Sequence, residues 1–210
     1  MTLVSRVDHL VYATTDLNQG SEEMEKLLGV KATPGGQHPG RGTKNALIAL
    51  GPTAYLEIIG PDPDQPAPQE PRSFGIDRLT QPKLVTWAMK ATNLAQLRNE
   101  VTRDGMPYEE VRAGGRQRPD GIQLSWAVIN PAVPETEGLL PFFIDWGKSP
   151  HPAETAAQGA TLVSLRAEHP KAHSVEAMLK RLSIDLPVIN GPAPALIAVI
   201  ECPNGRVELR

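Results

Sequence analysis

The chain has 210 residues, 40% of them hydrophobic and 21% charged, the composition of an ordinary folded protein rather than a disordered or fibrous one. Lysine and arginine total 21 against 24 aspartates and glutamates, a formal net charge of −3. No basic stripe interleaved with aromatics appears, so nucleic acid is excluded as an expected partner. No apolar run approaches the roughly 20 residues that cross a bilayer, and the start, Met1 to His9, lacks the pattern of a secretory leader. A single cysteine, Cys202, can form no intramolecular disulfide, so the cytoplasm is the expected compartment.

In chain order, Leu3 to Ala13 is apolar and β-rich and reads as a strand. Asp16 is placed to cap a helix whose Leu17, Met24, Leu27 and Leu28 form one stripe, with Gly29 as its stop. The segment from Pro34 to Gly42 is rich in glycine and proline and reads as a loop. Asn45 to Leu50 and Ala54 to Ile59 read as strands joined by Gly51-Pro52-Thr53. This is a βαβββ unit over residues 1–60.

The order recurs over residues 83–148: a strand from Leu84 to Lys90, a helix capped by Asn93 with Leu94, Leu97 and Val101 on one face, Gly105 as its stop, then strands. A third, partial pass spans 160–210, with Val175, Met178, Leu179 and Leu182 as a helical stripe after Ser174. Its hairpin turns at Pro203-Asn204-Gly205, which makes Glu208 look like the repeat equivalent of Glu57. The proline-rich segments Pro61 to Pro82 and Gly147 to Gly159 read as surface connections, the second carrying His151. One unit alone leaves an open sheet, so the expected organisation is a two-module domain over 1–148 with the third unit packed on it.

The residues Val7-Asp-His-Leu-Val-Tyr12, Gly35-Gly-Gln-His-Pro-Gly-Arg-Gly-Thr-Lys-Asn-Ala-Leu47 and Tyr55-Leu-Glu-Ile-Ile-Gly-Pro-Asp-Pro63 resemble the glyoxalase-like domain family of the vicinal oxygen chelate superfamily. Trp87, Trp126 and Pro141-Phe-Phe-Ile-Asp-Trp-Gly147 extend the resemblance over most of the chain. The resemblance implies an α+β fold of repeated βαβββ modules, whose curved mixed sheets form a cup with helices on the outer faces. In the superfamily that cup commonly chelates a divalent metal and two vicinal oxygens of a substrate. Members isomerise, epimerise, cleave rings with dioxygen, open epoxides or sequester drugs, so fold alone does not select a reaction.

Carried onto this sequence, the resemblance makes His9 and Glu57 metal ligands, suited to Zn, Fe, Mn, Ni or Co. Alignment of the two helix starts puts Thr86, a poor ligand, opposite His9, so a further carboxylate is expected from Asp145 or from Glu208. Without the family, His9 reads equally as a strand histidine satisfied by a backbone group, and Glu57 as a solvent-facing residue of an alternating strand. His38, in the glycine-proline loop, is a candidate acid or base alongside Glu57, or surface decoration. Asn45 is a candidate for binding a substrate oxygen, or a strand terminator. Trp87 and Trp126 are candidates for an apolar ligand wall, although core packing is the usual fate of tryptophan. Lys44 stands where the family often has histidine. Arg112, Arg116 and Arg118 around Gly114-Gly115 read as a solvated hairpin or as a contact for an anionic substrate.

Gly40-Arg-Gly-Thr-Lys44 lacks the order and following helix of a phosphate loop, and no hydrolase elbow, zinc-finger or His-Glu-x-x-His spacing occurs. The expectation is a metal-dependent lyase, isomerase or dioxygenase acting on a small oxygenated metabolite. The alternative is a metal-free module that binds a drug-like ligand. A homodimer stays open.

Overall fold

The computed structural model describes residues 2–133 and 136–210. A short helix, α1 (Leu3–Arg6), leads into β1 (Val7–Ala13), followed by α2 (Leu17–Leu28), β2 (Thr33–His38), β3 (Thr43–Ala49) and β4 (Tyr55–Pro61). The second unit holds β5 (Lys83–Lys90), α3 (Leu94–Arg103), β6 (Arg112–Gln117), β7 (Gln123–Ile129) and β8 (Phe142–Asp145). The third holds β9 (Thr161–His169), α4 (Ala172–Arg181), β10 (Val188–Asn190), β11 (Ala195–Cys202) and β12 (Gly205–Leu209).

The helix signals of the first unit act as their chemistry dictates. The Asp16 carboxylate accepts from the backbone N–H groups of Asn18 and Gln19 at 2.8 and 3.1 Å, satisfying two of the four free donors of α2. Gly29 closes that helix at φ 70°, the left-handed geometry that glycine adopts without strain. Asn93 precedes α3 as expected, but at φ 52° its side chain makes no cap bond and donates to Gln96 instead. The cap of α4 falls at Lys171 rather than Ser174.

The eight strands of the first two units form one curved mixed sheet in the order β2-β3-β4-β1-β5-β8-β7-β6. In each unit the first strand lies parallel to the last, and the units join where β1 runs antiparallel to β5. The free edges β2 and β6 approach each other, so the sheet is nearly closed and its concave face becomes a cup. Arg116 of β6 donates across that seam to the Gly35 carbonyl. Residue 36 must be glycine there, since its φ is 140° and an added Cβ would sit 2.5 Å from the Gln117 carbonyl oxygen.

Pro34 to His38 is therefore an edge strand and not a loop. Proline is tolerated at such an edge because one side of the ladder needs no donor.

Strand alternation divides the side chains between two environments. Leu10, Ile48, Leu56, Ile58, Trp87 and Met89 face outward into the large core shared with α2, α3 and the third unit. Val11, Ala13, Ile59, Ala88, Phe142 and Ile144 face the cup. The third unit forms its own sheet, ordered β10-β9-β11-β12, in which β9 pairs antiparallel with β11 rather than parallel with the last strand. Glu208 thus sits on the edge strand β12, exposed and 2.7 Å from Arg166, and is not the counterpart of Glu57. No helix among the described residues is long and apolar enough to cross a membrane.

Candidate functional site

The cup encloses a cavity of about 550 Å³, whose lining includes His9, His38, Asn45, Tyr55, Glu57, Arg116, Trp126 and Phe142. That is room for a small metabolite. Glu57, only 7% exposed, is part of that lining. Its Oε1 accepts a hydrogen bond from Asn45 Nδ2 at 2.5 Å and lies 3.9 Å from His38 Nε2, while its Oε2 lies 3.9 Å from His9 Nε2. Register explains the grouping, because β4 lies between β1 and β3 and all three turn these side chains to the concave face.

Behind His9 lies Asp8, which is fully buried. Adjacent strand residues ordinarily face opposite sides, but the β1–β5 register shifts between Val7 and His9. This bulge brings the Asp8 carboxylate to the His9 ring. His9 Nδ1 is 2.8 Å from Asp8 Oδ1, His151 Nε2 is 3.2 Å from Oδ2, and the Trp146 indole N–H donates to both oxygens at 3.2 Å. Burial by itself would raise the Asp8 pKa. The hydrogen bonds from His151 and His9 outweigh it and hold Asp8 well below the usual carboxylate range.

Asp8 is therefore a carboxylate that fixes the His9 ring with Nδ1 as donor, leaving the Nε2 lone pair toward Glu57. Tyr55 stacks on the other face of His9, with ring centroids 4.6 Å apart. Burial, then the charges of Glu57 and Asp8, push the Tyr55 phenol well above its ordinary pKa, so it stays protonated.

His38, at the end of β2, has Nδ1 3.0 Å from Thr43 Oγ1 and Nε2 3.4 Å from Asn45 Nδ2. Burial lowers its pKa. Glu57 opposes that shift, and Arg116 and Arg41 reinforce it, so the ring is held neutral. Asn45 Oδ1 has no hydrogen-bond partner among the described residues and abuts Gly35, where an added Cβ would overlap it.

Of the residues expected from sequence, His9, His38, Asn45, Glu57 and Trp126 converge on the cavity. Trp87 does not. It faces the opposite side of β5, fully buried, with its indole N–H donating to the Leu139 carbonyl at 2.9 Å. Asp145 also lies outside the lining, because on β8 it is Phe142 and Ile144 that face the cup, and its Oδ1 accepts from Gly147 N–H. Ala88, not Thr86, is the β5 residue in register with His9. Lys44 turns away to pair with Asp62 at 3.4 Å.

Sequence reasoning missed Asp8, Tyr55 and His151, and favoured a solvated hairpin over an anion contact for Arg116, which is 3% exposed. A carboxylate beside a histidine in an otherwise apolar strand was the available signal for Asp8. For His151 it was the sequence His151-Pro-Ala-Glu154, which forms a capped turn.

As a metal site the donor set is incomplete. His9 Nε2 and Glu57 provide two positions, but among the described residues no three His, Cys, Asp or Glu side chains converge to hold an ion. The second unit lines the cup with Phe142, Ile144 and Trp126, none of which is a metal ligand.

A nearly closed cup of paired βαβββ units with its polar residues on the concave face defines a protein of the vicinal oxygen chelate class. A family model described as a glyoxalase-like domain matches residues 7–183, and the chain belongs to that family. A hypothetical protein from Staphylococcus aureus is similar in structure, with TM-score 0.65 and 15% identity, covering 96% of this chain and 83% of that one. A methylmalonyl-CoA epimerase from Mycobacterium tuberculosis aligns with TM-score 0.49 and 18% identity over 70% of this chain and 91% of its own. A variant of the Streptomyces coelicolor methylmalonyl-CoA epimerase, in complex with 2-nitronate-propionyl-CoA, aligns with TM-score 0.46 and 14% identity over 66% and 95%. No curated protein matches the sequence.

Proposed function

We propose that this chain is a glyoxalase-like enzyme of the isomerase or lyase type. It moves a proton at a carbon beside a carbonyl in a small oxygenated metabolite, with Glu57 as the group that takes and returns the proton. The observation that carries this reading is the placement of Glu57: a nearly buried carboxylate facing the cavity, with two imidazoles 3.9 Å from its oxygens and an amide N–H on one of them. At 7% exposed and facing the cavity, Glu57 is placed to take a proton from a bound substrate and to return it. His9, locked by Asp8, presents a lone pair beside Glu57, and the Asn45 amide N–H groups hold the Glu57 carboxylate and His38 Nε2 in place. Trp126 and Phe142 supply the apolar wall.

Glu57→Gln keeps the shape of the side chain and removes the base. On a panel of dicarbonyls, hydroxy-ketones and 2-oxo compounds, wild type is expected to turn over at least one substrate, and the variant to lose activity by at least about a hundredfold. A folded Glu57→Gln protein with full turnover would overturn the reading. So would binding of cup ligands without any turnover, the behaviour of a sequestering module.

Metal dependence is a second reading, favoured by Asp8 behind His9, since metal-bound imidazoles are commonly oriented by a carboxylate in this way. His9 and Glu57 would be the protein's donors, and the metal would supply a Lewis acid for the substrate oxygen. Metal content of protein purified without chelator, with His9→Ala and Glu57→Gln as controls, tests it. Near-stoichiometric metal lost in both variants supports a metal centre, and no metal after reconstitution removes it. The single cysteine favours the cytoplasm as the place of action.

A further inference from the structure

Arg116 lies on β6 within the cavity wall, 3% exposed. It donates one hydrogen bond, to the Gly35 carbonyl, but a guanidinium carries five N–H donors in a rigid fork. Among the described residues no carboxylate lies within ion-pair distance of it. Its strand neighbour Arg112 pairs with Glu109 at 3.4 Å, and Arg118 pairs with Asp120 at 2.5 Å.

Burying a cation without a counter-charge is unfavourable, so a seam clasp alone is a poor reason for arginine at this position. A neutral donor would close the seam at lower cost. Glu57 lines the same cavity as Arg116 but does not pair with it. Arg41 and Arg112 line the same cavity, and Arg41 likewise has no ion-pair partner among the described residues. Gly114, where an added Cβ would overlap Trp126, keeps the wall between Arg112 and Arg116 free of side chain.

We propose that Arg116, on a cavity wall that also carries Arg41, forms an anion subsite that takes a carboxylate or phosphoryl group of the substrate and sets the neighbouring carbon against Glu57. Planar two-point recognition of an oxyanion is what a guanidinium offers and an ammonium does not. The proposal names the substrate class of the reading above and rests on it for the reacting carbon. Anion binding itself needs no catalysis.

The test uses full-length 15N-labelled protein at constant ionic strength, titrated separately with inorganic phosphate, malonate and neutral malonamide. The side-chain Nε–H resonance of Arg116 is assigned by its loss in Arg116→Lys. Phosphate or malonate is expected to shift that resonance in wild type, whereas malonamide leaves it in place. The tighter anion shows whether the group is phosphoryl or carboxylate. Arg116→Gln should weaken the binding about ten- to a hundredfold, the loss expected for charge-assisted hydrogen bonds. Arg116→Lys should fall between.

If Arg116→Gln does not fold, the wild-type resonance still decides. No shift with either anion at tens of millimolar overturns the proposal, as does equal binding by a folded Arg116→Gln protein. Glu57→Gln should retain or tighten anion binding, because a like charge is removed. Failure of the proton-transfer reading therefore leaves this result standing, and the reverse also holds.

Discussion

Asp8 Oδ2 lies 3.2 Å from His151 Nε2, which joins the first strand to a turn 143 residues further along the chain. His151 Nδ1 accepts from Ala153 N–H at 3.2 Å, so its proton sits on Nε2 and is donated to Asp8. His9 Nδ1–H serves the other oxygen. The connecting segment between the second and third units thus holds the tautomer of a cavity residue on β1. Hydrogen bonds to a charged group contribute about 1.5–3 kcal/mol each, and Asp8→Asn weakens several together. Denaturant unfolding should show a loss of about 3 kcal/mol or more, and turnover should fall with it. His151→Ala should lower turnover more than it raises KM, because it disturbs the orientation of His9 and not the cavity wall. Unchanged turnover in both variants would contradict the positioning role.

His38 and Asp8 give the protein two acid transitions of stability. Burial lowers the His38 pKa in the folded state, so the unfolded chain takes up its proton first as pH falls. Its contribution is complete above the ordinary value of about 6.5 and is lost progressively below it. The Asp8 pKa is lowered despite burial, so its contribution is complete above about 3.9 and is lost as pH falls further. Unfolding free energies measured from pH 8 to 3 should show His38→Gln flattening the upper slope alone and Asp8→Asn the lower one alone.

Trp87 and Trp126 should separate stability from ligand binding. Trp87 is fully buried on the outer face of β5, and truncation to Ala is expected to destabilise by about 3–5 kcal/mol. Trp126 lies on the cavity wall, 6.4 Å from His38 in edge contact. Trp126→Ala should shift the unfolding midpoint little while weakening ligand binding in a calorimetric titration. A strong stability loss at Trp126 would place it in the core instead.

Gly35 sets the position of Asn45. A methyl group at residue 35 would overlap Asn45 Oδ1, pressing the amide off Glu57. Overpacking of this kind costs about 1–3 kcal/mol. Gly35→Ala should fold with reduced stability and lose turnover, and a variant with wild-type turnover would show that the Asn45–Glu57 contact is dispensable.

The paired units were legible in the sequence wherever a local signal sufficed. Asp16 and Gly29 bound α2 as their chemistry dictates, whereas His9 and Glu57 were assigned to the cup through the family resemblance, because β1, β3 and β4 are buried on both faces and carry no alternation to read. What could not be read depended on partners distant in the chain. Pro34-Gly35-Gly36 has loop composition, yet it pairs with β3 because an edge tolerates proline and the seam requires glycine. Asp8 reaches His9 only through a bulge, which pairing and not composition creates. Trp87 and Asp145 were misplaced by one step of strand parity, which exchanges the two faces. The third unit repeats the local pattern of the first but pairs β11 with β9, so Glu208 faces solvent.

The most direct test of Glu57 as the proton-moving group is deuterium wash-in, followed by proton NMR. Wild type and Glu57→Gln would be incubated in deuterium oxide with each carbonyl compound that the cavity binds, after circular dichroism confirms equal folding. Exchange at the carbon beside the carbonyl in wild type, lost in the variant, is the predicted result. Equal exchange by both proteins, or exchange by neither with a compound that wild type converts, would contradict it.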